Sequence, residues 1–139
     1  MEIQDIIRNF SNIKILDGPF NGGQKEVYKC EINNKINALK FIKSTVAGDE
    51  GEIRCEREIK TLEVCNSNHL IKLGELPYTE IFDGSNHIIY YSEEWIQGYE
   101  LYSLLEKRKL LTEEFAKKLA IELSFAIEEL WKHNKIHRD

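Results

Sequence analysis

A lysine in the middle of an apolar strand is the first residue of this sequence that could do chemistry. Residues 37–43 alternate as a strand does, which places Lys40 on the same face as Ala38 and Ile42. An inward-facing ammonium requires an anion, because an unpaired buried charge is costly. The anion could be a carboxylate of the chain or a phosphate of a ligand, and we expect Lys40 to meet both.

A turn-rich stretch with adjacent glycines, Gly22 and Gly23, precedes Lys25 and the strand 26–32. Because glycine has no Cβ, the backbone N–H groups of such a loop can approach phosphate oxygens closely. A pair of glycines is more often a permissive hairpin turn. The residues alone leave both interpretations open.

The third candidate is a glutamate on a predicted helix, 48–66. Its apolar stripe runs through Cys55, Ile59 and Leu62, and Glu58 adjoins that stripe. Glu58 could therefore face whatever the helix packs on. The alternative is one more solvated charge among the many glutamates of this segment.

The remaining pattern predicts the elements that must position these residues. An amphipathic segment over 1–12 precedes three antiparallel strands within the first 43 residues. Further strands are expected at 70–76, 78–82 and 87–95, and helices at 100–107 and 112–133. Thr112 is a good N-cap for the last helix, which is apolar on more than one side and therefore requires several neighbours.

Composition excludes several classes of function. The chain has 139 residues and a net charge of −5 with charges spread along it, which argues against a nucleic-acid or membrane partner. No apolar run approaches 18 residues, and the N-terminus lacks signal-peptide features. Three cysteines without metal-ligand spacing, Cys30, Cys55 and Cys65, indicate reduced thiols and a cytoplasmic protein.

Taken together, these motifs resemble a protein kinase of the bacterial Ser/Thr type from Ile13 to the end of the chain. Each motif is weak alone, but their order and spacing match the signature set of that family. The motifs are the glycine loop ending in Val27-Tyr28, Ala38-Leu39-Lys40, Glu58 at 18 residues after Lys40, the hinge-like 94–98, and His137-Arg138-Asp139.

The resemblance implies a role for each matching residue, with ATP and Mg²⁺ as cofactors and a protein as substrate. Lys40 would bind the α- and β-phosphates and pair with Glu58, while Asp139 would act as the catalytic base. The other implied nucleotide contacts are the loop residues Gly22, Gly23 and Lys25, the apolar ceiling Val27 and Ala38, and the backbone of Glu94 and Ile96. Glu93 falls at the gatekeeper position, at the back of the adenine pocket.

The sequence also departs from the family pattern. Phe20 and Lys25 stand at two of the three glycine positions of the loop, and Lys25 could contact phosphate itself. The 139 residues end on the catalytic Asp139 and include neither the catalytic-loop Asn nor Asp-Phe-Gly, so no metal ligand is assigned. We therefore expect a truncated kinase without appreciable phosphoryl transfer.

The resulting fold prediction is an α+β chain. Residues 1–94 would form a kinase N-lobe, with a five-stranded antiparallel sheet and helix C, and residues 95–139 the hinge and two helices of an incomplete C-lobe. A natural half-kinase that associates as a homodimer through the apolar helix 112–134 is an alternative. A small-molecule kinase of the aminoglycoside type is a second alternative, against which Arg138 argues.

Overall fold

The structure is a computed structural model that describes residues 2–22, 25–44, 50–84, 86–108 and 111–136. The glycine-loop residue Gly23 and the whole of 137–139 lie outside these ranges. The elements in chain order are α1 (Ile3–Asn9), β1 (Ile13–Gly22), β2 (Lys25–Ile32), β3 (Lys35–Ser44), α2 (Glu50–Val64), β4 (Thr79–Asp83), β5 (Asn86–Glu94), α3 (Leu101–Arg108) and α4 (Glu113–Lys132).

The five strands form one antiparallel sheet in the order β1-β2-β3-β5-β4. The strand that carries Lys40 is the central strand, β3, and it pairs with β2 on one side and β5 on the other. Asn33 and Asn34 join β2 to β3 with positive φ angles of 51° and 63°, as a tight hairpin turn requires. The predicted α+β architecture with a five-stranded antiparallel sheet is confirmed.

Both faces of the sheet are covered, so β3 is buried on both sides. One core contains Leu39 and Phe41 of β3 together with Ile3 and Ile6 of α1. The other core contains Ile42 of β3. It packs with Cys55 and Ile59 of α2 and with Ile89 and Tyr91 of β5. The predicted alternation along β3 is therefore confirmed, and Lys40 lies on the α2 side of the sheet.

Two predicted strands differ from the structure. β1 extends to Gly22, into the stretch that the sequence predicts as turn-rich, and its ladder with β2 is interrupted between Ile15 and Phe20. The segment predicted as a strand at 70–76 is not one of the five strands. It lies along β5 through an isolated bridge, Leu73 to Glu93, and through backbone hydrogen bonds such as Gly74 N–H to the Ser92 carbonyl at 2.8 Å. Gly74 lies so close to its neighbours that a Cβ would meet the Ser92 hydroxyl at 2.5 Å, and Pro77 follows.

The chain divides into two compact units, one of Met1–Glu63 with Ile71–Trp95 and one of Val64–Leu70 with Ile96–Asp139. The second unit contains α3 and α4. The Thr112 hydroxyl accepts a hydrogen bond from the Phe115 N–H at 3.2 Å, so the predicted N-cap is confirmed. Of the described helices, none has the length and apolar character needed to cross a membrane.

Candidate functional site

The strand register places the candidate residues of β2, β3 and β5 side by side on the face of the sheet that packs against α2. Lys40 lies opposite Val27 of β2 and opposite Tyr91 of β5. Ala38 lies opposite Glu93, so Glu93 is the diagonal neighbour of Lys40. Diagonal neighbours on one face are within reach of long side chains, which is the geometric basis of the contacts that follow.

The ammonium of Lys40 meets two carboxylates. Its Nζ lies 2.6 Å from Oε2 of Glu93 and 3.5 Å from Oε1 of Glu58. The Lys40 side chain is 18% exposed and the Glu93 side chain only 3%. The chain itself thus supplies the anion that the inward position of Lys40 requires.

Glu58 is held by a second lysine and a tyrosine as well. Lys25 Nζ donates to Oε2 of Glu58 at 2.5 Å and to the Tyr91 hydroxyl at 3.0 Å. The Tyr91 hydroxyl in turn donates to Oε1 of Glu58 at 3.2 Å. Glu58 therefore faces the sheet and holds both lysines, and it is not one more solvated charge of α2.

The pKa directions within this cluster follow from burial and from the two ammonium groups. Burial raises the pKa of Glu58, but the hydrogen bond and charge of Lys25 and the charge of Lys40 outweigh it, so the net pKa is lowered. Burial raises the pKa of Glu93, and the hydrogen bond from Lys40 offsets this only in part. Burial together with the negative charge of Glu58 raises the pKa of Tyr91 above its usual range.

The arrangement is charge-balanced when both glutamates are ionised, with two ammonium groups and two carboxylates. The Oε1 atom of Glu93 is buried and has no hydrogen-bond partner among the described residues. An anionic ligand that reaches Lys40 would compete with Glu93 for the ammonium. A phosphate bound at Lys40 would therefore share its ammonium with Glu58 and compete with Glu93 for it.

The structure brings several other predicted residues to the same part of the sheet. Gly22, the last residue of β1, pairs with Lys25 at the start of β2. Val27 is half-buried, and Ala38 is buried at 8% exposure on the neighbouring strand. Gly23 lies outside the described residues.

The residues predicted for the hinge and for the catalytic base do not all lie in the first unit. The N–H of Glu94 donates to the Lys72 carbonyl at 2.9 Å, so this amide is used within the protein. Ile96 belongs to the second unit, where its side chain is 60% exposed. Asp139, with His137 and Arg138, lies outside the described residues.

Two ion pairs of this cluster are not predicted by the sequence analysis. The sequence placed Glu93 at the back of a pocket but not on Lys40, and it predicted a phosphate contact for Lys25 rather than an ion pair with Glu58. Tyr91 was not singled out at all. The available signal was the alternation of β5, which puts Tyr91 and Glu93 on one face, but strand register was needed to place them beside Lys40.

Comparison with known proteins gives a family match. Residues 21–139 match the family described as "Protein kinase domain". The chain is 28% identical over 134 residues to a carbon catabolite-derepressing protein kinase of Candida glabrata, covering 96% of this chain and 21% of that protein. It is 29% identical over 134 residues to the protein of the same name in Saccharomyces cerevisiae, covering 96% and 20%.

A further relative lies outside the fungi. The chain is 26% identical over 102 residues to the Dictyostelium discoideum protein named "Probable serine/threonine-protein kinase MARK-C", covering 73% of this chain and 13% of that protein. The chain thus spans about a fifth or less of the length of the relatives it matches.

Proposed function

Because this chain belongs to the protein kinase domain family, we propose that its first unit binds the nucleotide of a Ser/Thr protein kinase. The Ser/Thr specificity rests on the name of the Dictyostelium relative and on the bacterial-type motif pattern. The observation that carries the proposal is the half-buried Lys40, held on the α2 face of the sheet by Glu58 and Glu93. A strand lysine held by a helix glutamate is the arrangement with which kinases bind the α- and β-phosphates of ATP.

In this proposal, Lys40 meets the phosphates of Mg-ATP while Glu58 keeps its ammonium in place. Lys25 shares Glu58 and supplies a second positive charge near the glycine loop. Gly22 and Gly23 would let the loop backbone approach the phosphates, and the side chains of Val27 and Ala38 would cover adenine. Magnesium would arrive with the nucleotide, and we assign it no ligand among the 139 residues.

The hinge and the base complete the proposal. The carbonyl of Glu94 and the N–H of Ile96 would hydrogen-bond the adenine edge. Asp139 would orient the hydroxyl of a protein substrate and accept its proton. Residues 1–94 would then be the nucleotide-binding lobe, and 95–139 the hinge and the start of the substrate lobe.

Binding of Mg-ATP, measured by calorimetry on the wild type and on Lys40→Met, tests the proposal. We expect the mutant to bind at least about tenfold more weakly, since a charge-assisted hydrogen bond is worth roughly 1.5–3 kcal/mol. The matched control is Lys43→Met on the same strand, whose ammonium instead pairs with Glu2 at 2.8 Å. Equal binding by wild type, mutant and control, or no binding by any of them, would contradict the proposal.

We also propose that residues 1–139, prepared by themselves, transfer no phosphoryl group at an appreciable rate. The family holds its metal ions through the catalytic-loop Asn and the Asp of Asp-Phe-Gly, which these residues do not include. Transfer of radiolabelled phosphate to a generic protein substrate, compared with a buffer blank, measures this. Transfer that disappears in Lys40→Met would show that the expectation of inactivity is wrong.

Association through 112–134 is the second candidate function. Several large apolar side chains of α4 are exposed: Phe115, Ile121, Leu123, Phe125, Ile127 and Trp131. Such a surface favours association, here as a homodimer. A monodisperse monomer in light scattering at micromolar concentration would contradict it.

A cytoplasmic location is likewise a proposal, supported by three free cysteines. Cys30 and Cys55 are buried, and Cys65 is partly buried. Burial raises the pKa of both Cys30 and Cys55 to about 11, so these two thiols are poorly reactive.

A further inference from the structure

A buried histidine between two carboxylates lies on the sheet at the start of β5, apart from the lysine cluster. His87 is 3% exposed. Its Nδ1 lies 3.3 Å from Oε2 of Glu52 in the first turns of α2, and its Nε2 lies 3.4 Å from Oε2 of Glu80 on β4. Three separate elements of the first unit thus converge on one imidazole.

The imidazole is fixed in place but its nitrogens are not satisfied. The ring of Phe82 stacks on the ring of His87 with centroids 4.1 Å apart and planes 9° apart. Neither ring nitrogen makes a hydrogen bond to a described residue, although both are buried. Buried polar atoms without partners require an explanation, and an ion is one of the few available.

Two carboxylates lie beside this one imidazole. An oxygen of each is within ion-pair distance of a ring nitrogen, yet neither nitrogen makes a hydrogen bond to a described residue. A cation bound among the three groups would be attracted to both carboxylates and to a ring lone pair. One ligand atom from each of Glu52, Glu80 and His87 lies within 4.8 Å of the other two.

We propose that Glu52, Glu80 and His87 bind a divalent cation, with Zn²⁺ as the preferred ion. An imidazole nitrogen with two carboxylates is a donor set that suits Zn²⁺, with water in the remaining position. The Glu80 side chain is 31% exposed, so this edge of the proposed site is in contact with solvent. One ring nitrogen of His87 would bind the ion, and the side chains of Glu52 and Glu80 would turn toward it to complete the site.

The position of this site gives it a consequence beyond nucleotide binding. It ties the first turns of α2 to β4 and β5, and α2 carries Glu58 six residues beyond Glu52. Because an ion that binds only the folded state stabilises it, zinc should raise the unfolding temperature of the chain. Bound zinc would thus hold α2, the helix that carries Glu58, against the sheet.

Zinc affinity is best measured in a background that lacks a second candidate trio in the other unit. Cys65, Glu129 and His133 also place ligand atoms within 4.8 Å of one another. Competition with a chromophoric zinc indicator is therefore carried out on the variant Cys65→Ser/His133→Gln. In this background, His87→Gln and Glu80→Gln are each expected to weaken zinc binding at least about tenfold, as loss of a metal ligand does. Glu63→Gln, at an exposed position in the last turn of α2, should leave it unchanged.

A second readout keeps the test valid if His87→Gln folds poorly. Zinc should raise the unfolding temperature of the background variant and of Glu63→Gln. It should not raise that of Glu80→Gln, whose substitution is at a partly exposed position. No zinc binding in the background, or binding that survives Glu80→Gln and His87→Gln, would overturn the proposal. A His87 that NMR shows doubly protonated near neutral pH and insensitive to zinc would also overturn it, since a proton would then be the cation.

Discussion

The ammonium of Lys40 lies 2.6 Å from the buried carboxylate of Glu93, closer than the 3.5 Å that separates it from Glu58. The strand lysine is therefore held most tightly by a glutamate at the back of the proposed adenine site. Any phosphate that binds Lys40 competes with Glu93, and this competition gives the first prediction.

Glu93→Gln should strengthen Mg-ATP binding. The amide removes the negative charge that holds the Lys40 ammonium, and it keeps the volume of the side chain. Since hydrogen bonds to charged groups are worth roughly 1.5–3 kcal/mol and only part of this is recovered, we expect a gain of about threefold to tenfold. Calorimetry measures it, with Glu63→Gln on the exposed side of α2 as the control. An unchanged or weakened affinity in Glu93→Gln would mean that Glu93 does not compete with the nucleotide.

Glu93 should also make the fold less stable as pH rises. Its folded pKa is raised above the ordinary value of 4.5 by burial, so the folded state keeps a proton that the unfolded chain has released. The contribution of this proton to the free energy of unfolding is fully present below pH 4.5. It is lost as pH rises through the folded pKa of Glu93. Urea unfolding at a series of pH values upward from 4.5 should show this loss in the wild type and a smaller one in Glu93→Gln. A pH dependence that is identical in both proteins would contradict the raised pKa.

Lys25→Met should lower the free energy of unfolding, and this loss should be larger at neutral pH than in acid. Lys25 helps to lower the folded pKa of Glu58 below 4.5, so their interaction stabilises the fold above pH 4.5 and is lost as pH falls through that folded pKa. The Glu58 side chain is 37% exposed, and solvent screening keeps the expected cost near neutral pH at about 1 kcal/mol or less. The difference between wild type and Lys25→Met in urea unfolding should therefore shrink on acidification. Lys60→Met, at an exposed helix pair, is the control and should cost less at every pH.

Ile59→Ala should destabilise the first unit strongly. Ile59 is 5% exposed and packs with Cys55 and Tyr91 between α2 and the sheet. Truncation of a buried isoleucine to alanine costs roughly 2–5 kcal/mol through lost burial and the cavity left behind. Ile53→Ala, on the same helix at 40% exposure, should cost far less. Equal losses in the two variants, measured by urea unfolding, would show that α2 does not pack on the sheet through Ile59.

Local patterns in the sequence were enough to predict the α+β architecture and to single out the central lysine. Alternation along 37–43 put Lys40 on the face of Ala38 and Ile42, and helical spacing put Cys55 and Ile59 on one side of α2. These patterns depend on local periods of two and about 3.6 residues, which the chain carries wherever it folds. Order and spacing of the motifs were enough to give the family, which the match over residues 21–139 confirms.

The pairing of the charged side chains could not be predicted from these local patterns. The pairing of Ala38 with Glu93 across β3 and β5 places Glu93 beside Lys40, and the packing of α2 brings Glu58 to Lys25 as well. The same convergence of elements sets His87 between Glu52 and Glu80. These contacts depend on strand register and on how a helix lies on a sheet. A shift of one residue would turn each side chain to the other face, so local pattern cannot specify its partner.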